Sequence, residues 1–155
     1  MAPRAGFRRV VVGLDGSANS RRAAAFLTRL TPPRGGRVTC LRVVEPVRLP
    51  ATPFLPGSMR AELAGQAEAM NRARARVAQR HVDAAAAALE RSGWRARGIV
   101  RTGVPLAELL AALRAARGDL LVVGARGAGA VTHFLLGSVA EASVKHAPVD
   151  VLTVK

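Results

Sequence analysis

Residues 119–138 read DLLVVGARGAGAVTHFLLGS, an apolar run followed by a glycine-rich stretch and by Gly-Ser ahead of a helical pattern. The run DLLVV has the composition of a strand buried on both faces, as in a parallel sheet covered by helices. Glycine lets backbone N–H groups approach an anion closely, and a helix N-terminus adds unpaired donors and partial positive charge. The stretch therefore predicts a strand, a loop and a helix. The loop would hold phosphate, or its glycines would serve tight packing of the strand against the helix.

The same strand-to-helix order repeats along the whole chain. The predicted strands are short β-branched runs, at Arg8–Leu14, Arg37–Val44, Trp94–Arg101, Asp119–Val123 and Val149–Val154. The predicted helices follow them: one N-capped by Ser17, one from about Arg60 to Arg91, one from Pro105 to Gly118, and one over Ser138–His146. Such alternation predicts an α/β fold with one open, parallel five-stranded sheet and helices on both faces. A length of 155 residues suits a single domain over residues 1–155.

A second loop suited to a ligand follows the first strand, where residues 13–17 read GLDGS. Ligands of open parallel sheets bind outside the carboxyl ends of the strands, where the strand order reverses. Asp15 either contacts a ligand there or only satisfies N–H groups of its own turn. At the other loop, Ser138 and Glu141 are spaced as a capping box, which predicts Ser138 as the N-cap.

Residues 45–60 form a proline-rich segment that predicts a mobile loop, because its four prolines forbid helix interior and central strand. Phe54 and Leu55 lie within it. They are either incidental apolar residues of a connection or part of a lid or partner contact.

The charge of the chain gives only a general indication of its partners. The formal net charge is +14 and the pI is about 11.9. Nearly all of the basic residues are arginines, and they are spread along the sequence. Aromatic residues make up 3%, so no stacking platform accompanies the charge, and we expect loose polyanion association but no specific nucleic-acid partner. No apolar run reaches the roughly 18 residues needed to cross a bilayer, so we expect no membrane contact and a cytoplasmic location.

Residues that carry chemistry elsewhere lack their usual partners here. Cys40 lies in the apolar run VTCLRVV and is interpreted as a buried thiol. His81, His133 and His146 have no second ligand at metal-site spacing, although His133 lies in the glycine-rich stretch and would be within reach of a phosphate. Neither a Walker lysine motif, a G-x-G-x-x-G fingerprint nor a nucleophile elbow is present, which disfavours P-loop, dinucleotide and hydrolase chemistry.

The spacing of the last glycines narrows the interpretation. Gly124, Gly127, Gly137 and Ser138 form G, two residues, G, nine residues, G-S, which resembles the ATP-binding motif of the universal stress protein family. VVVGLDGSANSRRA, LRVVEP, VRTGVPLAELL and GSVAEASVKHAPVDVLTV resemble further segments of that family in the same order. The resemblance covers nearly the whole chain and implies the strand order 3-2-1-4-5.

The resemblance also implies which residues hold a nucleotide. Asp15, at the end of the first strand with Gly13 and Leu14, would contact the ribose hydroxyls or a phosphate-bound Mg²⁺. The other implied contacts are Val43 and Val123 at the adenine, Gly124 and Gly127 at the ribose and phosphates, and Gly137, Ser138 and Val139 at the phosphate tail. We add Arg126 as a charge-assisted phosphate contact. Ala140 stands where some family members carry a hydroxyl, so one phosphate contact would be missing.

These features together predict an ATP-binding stress-response sensor or regulator. Without a Walker lysine, arginine finger or water-positioning base, ATP hydrolysis would be slow or absent, so no enzyme is expected beyond a slow ATPase. The family resemblance implies homodimers paired through the last strand, VLTV, which would be a sheet edge. The alternatives are a family member that binds cyclic AMP or acts through protein contacts, a slow ATPase or nucleotidyl transferase, and a nucleic-acid binder.

Overall fold

A computed structural model describes residues 6–51, 53–127 and 136–155. Its strands and helices are β1 (Arg9–Gly13), α1 (Ala18–Thr28), β2 (Arg37–Val44), α2 (Gly57–Arg91), β3 (Arg95–Thr102), α3 (Pro105–Ala115), β4 (Leu120–Gly124), α4 (Ser138–His146) and β5 (Asp150–Val154). All five strands are parallel and lie in the order β3-β2-β1-β4-β5. The predicted fold class and strand order are confirmed.

The sheet is buried on both faces because successive side chains of each central strand point to opposite sides. On one face Val10 and Val12 of β1 pack with Leu27 of α1 and Val82 of α2. On the other face Val11 packs with residues of α3 and α4, among them Leu109, Leu113 and Ala140. The three consecutive valines of β1 therefore contribute side chains to two separate cores, one on each face of the sheet.

Cys40 lies in the first of these cores, with no exposed surface. Burial raises the pKa of its thiol to about 12, because the charged thiolate is disfavoured away from water. The interpretation of Cys40 as a buried thiol is confirmed.

The proline-rich loop is shorter than predicted. Helix α2 begins at Gly57, so the loop ends at Pro56 and the last four residues of the predicted 45–60 segment belong to the helix. Pro56 has φ −53° and occupies the N-cap position, where its missing N–H costs nothing. Whether the loop is mobile stays a prediction.

Trp94 precedes β3 rather than starting it as predicted. Its indole is buried beside Gly36, and its Nε1 donates a hydrogen bond of 3.1 Å to the carbonyl of Leu27 in α1. The side chain thus joins the start of the third strand to the end of the first helix.

Across the described parts of the chain, no helix combines the length and the apolar character that a membrane span needs. The cytoplasmic location stays a prediction.

Gly98 tests how closely α2 packs on β3. A β-carbon at position 98 would lie 2.8 Å from both the backbone carbon of Val82 and the Oδ1 of Asp83. We therefore expect Gly98→Ala to lower the free energy of unfolding by about 1–3 kcal/mol, measured by urea denaturation.

Gly65→Ala is the matched control, because Gly65 lies in α2 with nothing within 4 Å of a β-carbon. It should raise the free energy of unfolding by up to about 1 kcal/mol through helix propensity alone. If Gly98→Ala were as stable as Gly65→Ala, the close contact of α2 with β3 would be contradicted.

Candidate functional site

A cleft of about 770 Å³ opens at the carboxyl ends of the strands. It spans the junction of β1 and β4, where the strand order reverses. All of the predicted contact residues line it, namely Gly13, Leu14, Asp15, Val43, Val123, Gly124, Arg126, Gly127, Gly137, Ser138 and Val139. The middle of the glycine-rich stretch, residues 128–135 with His133, lies outside the described residues.

The first wall of the cleft is the turn between β1 and α1. Gly16 has φ +85°, a conformation that favours glycine, and it reverses the chain after Asp15. The Oδ1 of Asp15 accepts a hydrogen bond of 2.9 Å from the N–H of Ser17, and the Oγ of Ser17 accepts one of 3.1 Å from the N–H of Ser20. Ser17 is thus the N-cap of α1, as predicted. Asp15 fulfils the turn-stabilising role, and its carboxylate still lines the cleft.

Side chains of the turn after β1 contact the backbone of the glycine-rich loop after β4. The Oγ of Ser17 lies 3.3 Å from the carbonyl oxygen of Arg126 and donates a hydrogen bond to it. A β-carbon at position 127 would lie 2.8 Å from the Oδ2 of Asp15, and one at position 124 would lie 2.7 Å from the backbone nitrogen of Ser20. Gly124 is therefore required by packing against the backbone of α1, whether or not a ligand is present, whereas a side chain at position 127 would have to displace the carboxylate of Asp15.

The two ends of the glycine-rich loop close on each other. The N–H of Gly137 donates to the carbonyl of Ala125 at 2.8 Å, and the N–H of Ala125 donates to the carbonyl of Val154 at 2.7 Å. A β-carbon at position 137 would lie 3.2 Å from the backbone nitrogen of Gly127. This closure places the first turn of α4, with its N–H groups that have no partner inside the helix, beside Gly127 and Arg126.

The predicted capping box at Ser138 is wrong. Gly137 is the N-cap of α4, and no side chain caps the helix. Glu141 instead pairs with Lys145, one turn later, at 2.6 Å. The hydrogen bond and the charge of that lysine lower the pKa of Glu141. The backbone of the N-cap residue, Gly137, packs closely against Gly127. The exposed Ser138 occupies the first helical position and lines the cleft.

Apolar side chains form the inner part of the cleft. Leu109 of α3 and Val123 of β4 are buried there at 4% exposure each, and both lie against Gly13. Val43 at the end of β2 and Val77 of α2 complete this part. The apolar part, the exposed Asp15 and the start of α4 thus all face one space.

Sequence reasoning missed the contribution of α2 and two arginines. Arg74 of α2 lines the cleft, and its guanidinium donates to the carbonyl of Glu45 at 3.1 Å. Arg42 also lines it, packs against Gly16, and forms a short contact with the Nδ1 of His81. With Arg126, three guanidinium groups border the cleft, which favours an anionic ligand.

No local signal marks these residues, because Arg74 of the 35-residue α2 and Arg42 of β2 come together at the cleft only through tertiary packing. Within the described part of the chain, no group of three or more His, Cys, Asp and Glu side chains could hold a metal ion.

Ser17 tests the contact between the two loops. Ser17→Ala removes both the cap of α1 and the hydrogen bond to Arg126, so we expect the free energy of unfolding to fall by about 1 kcal/mol in thermal or urea denaturation. Ser58→Ala, in the exposed first turn of α2, is the control and should change it by less than about 0.5 kcal/mol. Equal effects of the two variants would contradict the assigned role of Ser17.

Comparison with known proteins places this chain in a family. The sequence model of the universal stress protein family matches residues 6–155. The chain is 28% identical over 150 residues to a universal stress protein of Thermus aquaticus encoded in the 3′ region of a QAH/OAS sulfhydrylase, covering 96% of this chain and 99% of that protein.

Solved structures share the fold. The hypothetical protein MJ0577 superposes with a TM-score of 0.76 at 18% identity, covering 96% of this chain and 95% of that one. A universal stress protein in complex with cAMP gives 0.57 at 22% identity, with 96% and 97% covered. A family protein of Arabidopsis thaliana with AMP bound gives 0.56 at 18% identity, with 94% and 90% covered. This chain therefore belongs to the universal stress protein family.

Proposed function

We propose that this protein binds ATP in the cleft at the carboxyl end of its sheet and acts as a nucleotide-dependent regulator of a stress response. The observation that carries the proposal is the convergence of two glycine-containing loops and the start of α4 on one apolar-lined space. A volume of about 770 Å³ suits a ligand of nucleotide size. The structures of relatives bound to AMP and cAMP support an adenine nucleotide as the ligand.

The adenine would lie in the inner, apolar part of the cleft. Val123 and Leu109 offer apolar contact to a flat ring, and the backbone of Val43 lies at the end of β2, where its polar groups would meet the base edge. Specific contacts in such sites come from a few backbone groups within an otherwise apolar lining.

The phosphates would lie at the outer part. Gly127 leaves the backbone there uncovered by side chain, and the N-terminus of α4 at Gly137, Ser138 and Val139 supplies N–H donors and partial positive charge. Arg126 adds a guanidinium. Because Ser138 is not engaged in a cap, its hydroxyl serves phosphate binding in this proposal. Ala140 is buried at 2% exposure and supplies no hydroxyl.

Asp15 has two roles in the proposal. Its Oδ1 fixes the turn through Ser17, and its carboxylate would contact the ribose hydroxyls or a Mg²⁺ bound to the phosphates. A metal held there would take further ligands from the phosphates, because among the described residues Asp15 belongs to no group of three or more His, Cys, Asp and Glu side chains that could hold a metal ion. Removal of Mg²⁺ should therefore weaken ATP binding more than cyclic AMP binding.

We assign no reaction beyond slow ATP hydrolysis. The cleft as described offers arginines and backbone donors but no histidine with a carboxylate partner to activate water. ATP would thus act as a bound signal.

β5 supports the proposed homodimer. It is an edge strand of the sheet and Val151, Leu152 and Val154 on it are only partly buried, so a second copy could pair with it along the edge. Ala125 is hydrogen-bonded to Val154, so such a dimer would adjoin the glycine-rich loop of each copy.

Cyclic AMP is the second candidate ligand, favoured by the relative whose structure contains it. The two nucleotides differ in the phosphate tail. A site that uses the N-terminus of α4 and Arg126 should hold ATP more tightly, whereas a site limited to the base and ribose would not discriminate.

Gly127→Val tests the proposal. Its side chain would collide with the carboxylate of Asp15 and fill the place of the phosphates, so we expect ATP affinity in isothermal titration calorimetry to fall by a factor on the order of ten or more. Gly57→Val is the matched control, because nothing lies within 4 Å of a β-carbon at position 57, and it should bind ATP as the wild type does.

Cyclic AMP is titrated alongside. If cyclic AMP bound more tightly than ATP, cyclic AMP would be assigned as the ligand. If the wild-type protein bound neither nucleotide, the proposal would be contradicted and action through protein contacts alone would be favoured.

A further inference from the structure

A second cleft, of about 310 Å³, lies at the opposite end of the sheet. It is formed where β1, β2 and β3 begin and where α3 ends, at Ala115 and Ala116. Four arginines line it: Arg9, Arg37, Arg95 and Arg97. We call it the amino-end arginine cleft.

The strand register brings three of these arginines into one row. Arg9 is paired with Arg37, and Arg37 with Arg95. The next residues along these strands, Val10 and Val38, enter the core under α1 and α2, so the arginine row lies on the face of α3.

The fourth arginine extends the row along the same face. Arg97 is paired in register with Thr39, and its Nε lies 3.5 Å from the Oγ1 of that residue. Neighbouring strands are about 4.8 Å apart, so the three Cα atoms of the row span about 10 Å across the sheet.

No ion pair within the described parts of the chain neutralises this row. Like charges directly opposite on neighbouring strands destabilise a sheet. Yet the ion pairs among residues 6–51, 53–127 and 136–155 are Arg72 with Glu68, Arg101 with Glu108, and Lys145 with Glu141. Asp119 lies beside the start of β1, but its two carboxylate oxygens accept the backbone N–H groups of Arg8 and Arg9. Among the described residues, positive charge is therefore concentrated in the cleft with no carboxylate ion-paired to a guanidinium of the row.

The chemistry of the lining selects the ligand. Guanidinium groups match phosphate oxygens through paired hydrogen bonds. The remaining lining is small or aliphatic, with Ala96, Ala115 and Ala116 among it, and among the described residues no aromatic side chain lines the cleft to stack on a base. The Cα span of the row, about 10 Å, is wider than one phosphate. We propose that the amino-end arginine cleft binds a ligand that carries two or more linked phosphate groups.

This site is separate from the nucleotide cleft. Arg37 and Val43 lie at opposite ends of β2, six residues apart, which is about 20 Å along a strand. The inference does not depend on ATP binding, and both sites can be tested in the same protein.

The test uses sodium tripolyphosphate as the probe, titrated by calorimetry at low salt into protein that carries Gly127→Val to obstruct the nucleotide cleft. In that background Arg37→Gln with Arg95→Gln should weaken binding about tenfold or more, because two charge-assisted contacts are lost. Arg60→Gln with Arg76→Gln removes the same charge from exposed positions of α2 that line neither cleft, and should change affinity less than about twofold.

Equal weakening by the two pairs of substitutions would overturn the proposal, since it would show that tripolyphosphate is attracted by overall charge alone. The absence of tripolyphosphate binding to the Gly127→Val protein would also overturn it. Arg37→Lys with Arg95→Lys keeps the charge and should recover only part of the affinity. Thermal denaturation checks folding, and the Arg-to-Gln pair should raise the melting temperature by relieving like-charge repulsion.

A short oligothymidylate, titrated in parallel, distinguishes the source of the linked phosphates. Binding of the oligonucleotide that requires Arg37 and Arg95, and exceeds that of tripolyphosphate, would assign the phosphates to a nucleic-acid backbone. Tighter binding of tripolyphosphate would assign them to a free oligophosphate.

Discussion

The close approach of two backbone segments at the carboxyl ends of β1 and β4 is the constraint on which the cleft depends. Gly124 lies against the backbone of the first residues of α1 at a distance that leaves no room for a β-carbon, and Gly127 lies against the carboxylate of Asp15. Ser17 and the Gly137-to-Ala125 hydrogen bond hold the same segments from either side. These glycines can therefore serve both packing and ligand binding, because the same close packing leaves exposed the backbone and the helix terminus that would bind phosphate.

One parallel sheet gives the molecule two chemically different ends. At the carboxyl ends of the strands, positive potential comes from the start of α4 and from arginines reaching over the cleft, and apolar side chains lie beneath. At the amino ends, positive potential comes from side chains alone, because the register aligns Arg9, Arg37 and Arg95 across three strands. Both ends are suited to phosphate, the first to a nucleotide whose base enters the apolar part and the second to linked phosphates without a base.

Local sequence patterns predicted most of the fold, including the bounds of β2 at Arg37–Val44 and of α4 at Ser138–His146. Ser17 as an N-cap was predictable because a cap is a local hydrogen bond. The capping box at Ser138 failed because contact of Gly137 with Gly127, distant in sequence, sets the start of α4. Arg74 of α2 and the row of arginines escaped prediction for the same reason: periodicity indicates which face of an element is buried, not which separated residues meet.

The most direct test of the account is a titration of the 16.2 kDa protein with ATP, followed by amide chemical shifts in two-dimensional NMR spectra. The account predicts that the shifts concentrate on residues of both loops and the start of α4, such as Asp15, Gly127 and Val139, with smaller shifts at Val43. Shifts confined to the amino ends of β1, β2 and β3, or an unchanged spectrum, would contradict the assignment of the carboxyl-end cleft as the nucleotide site.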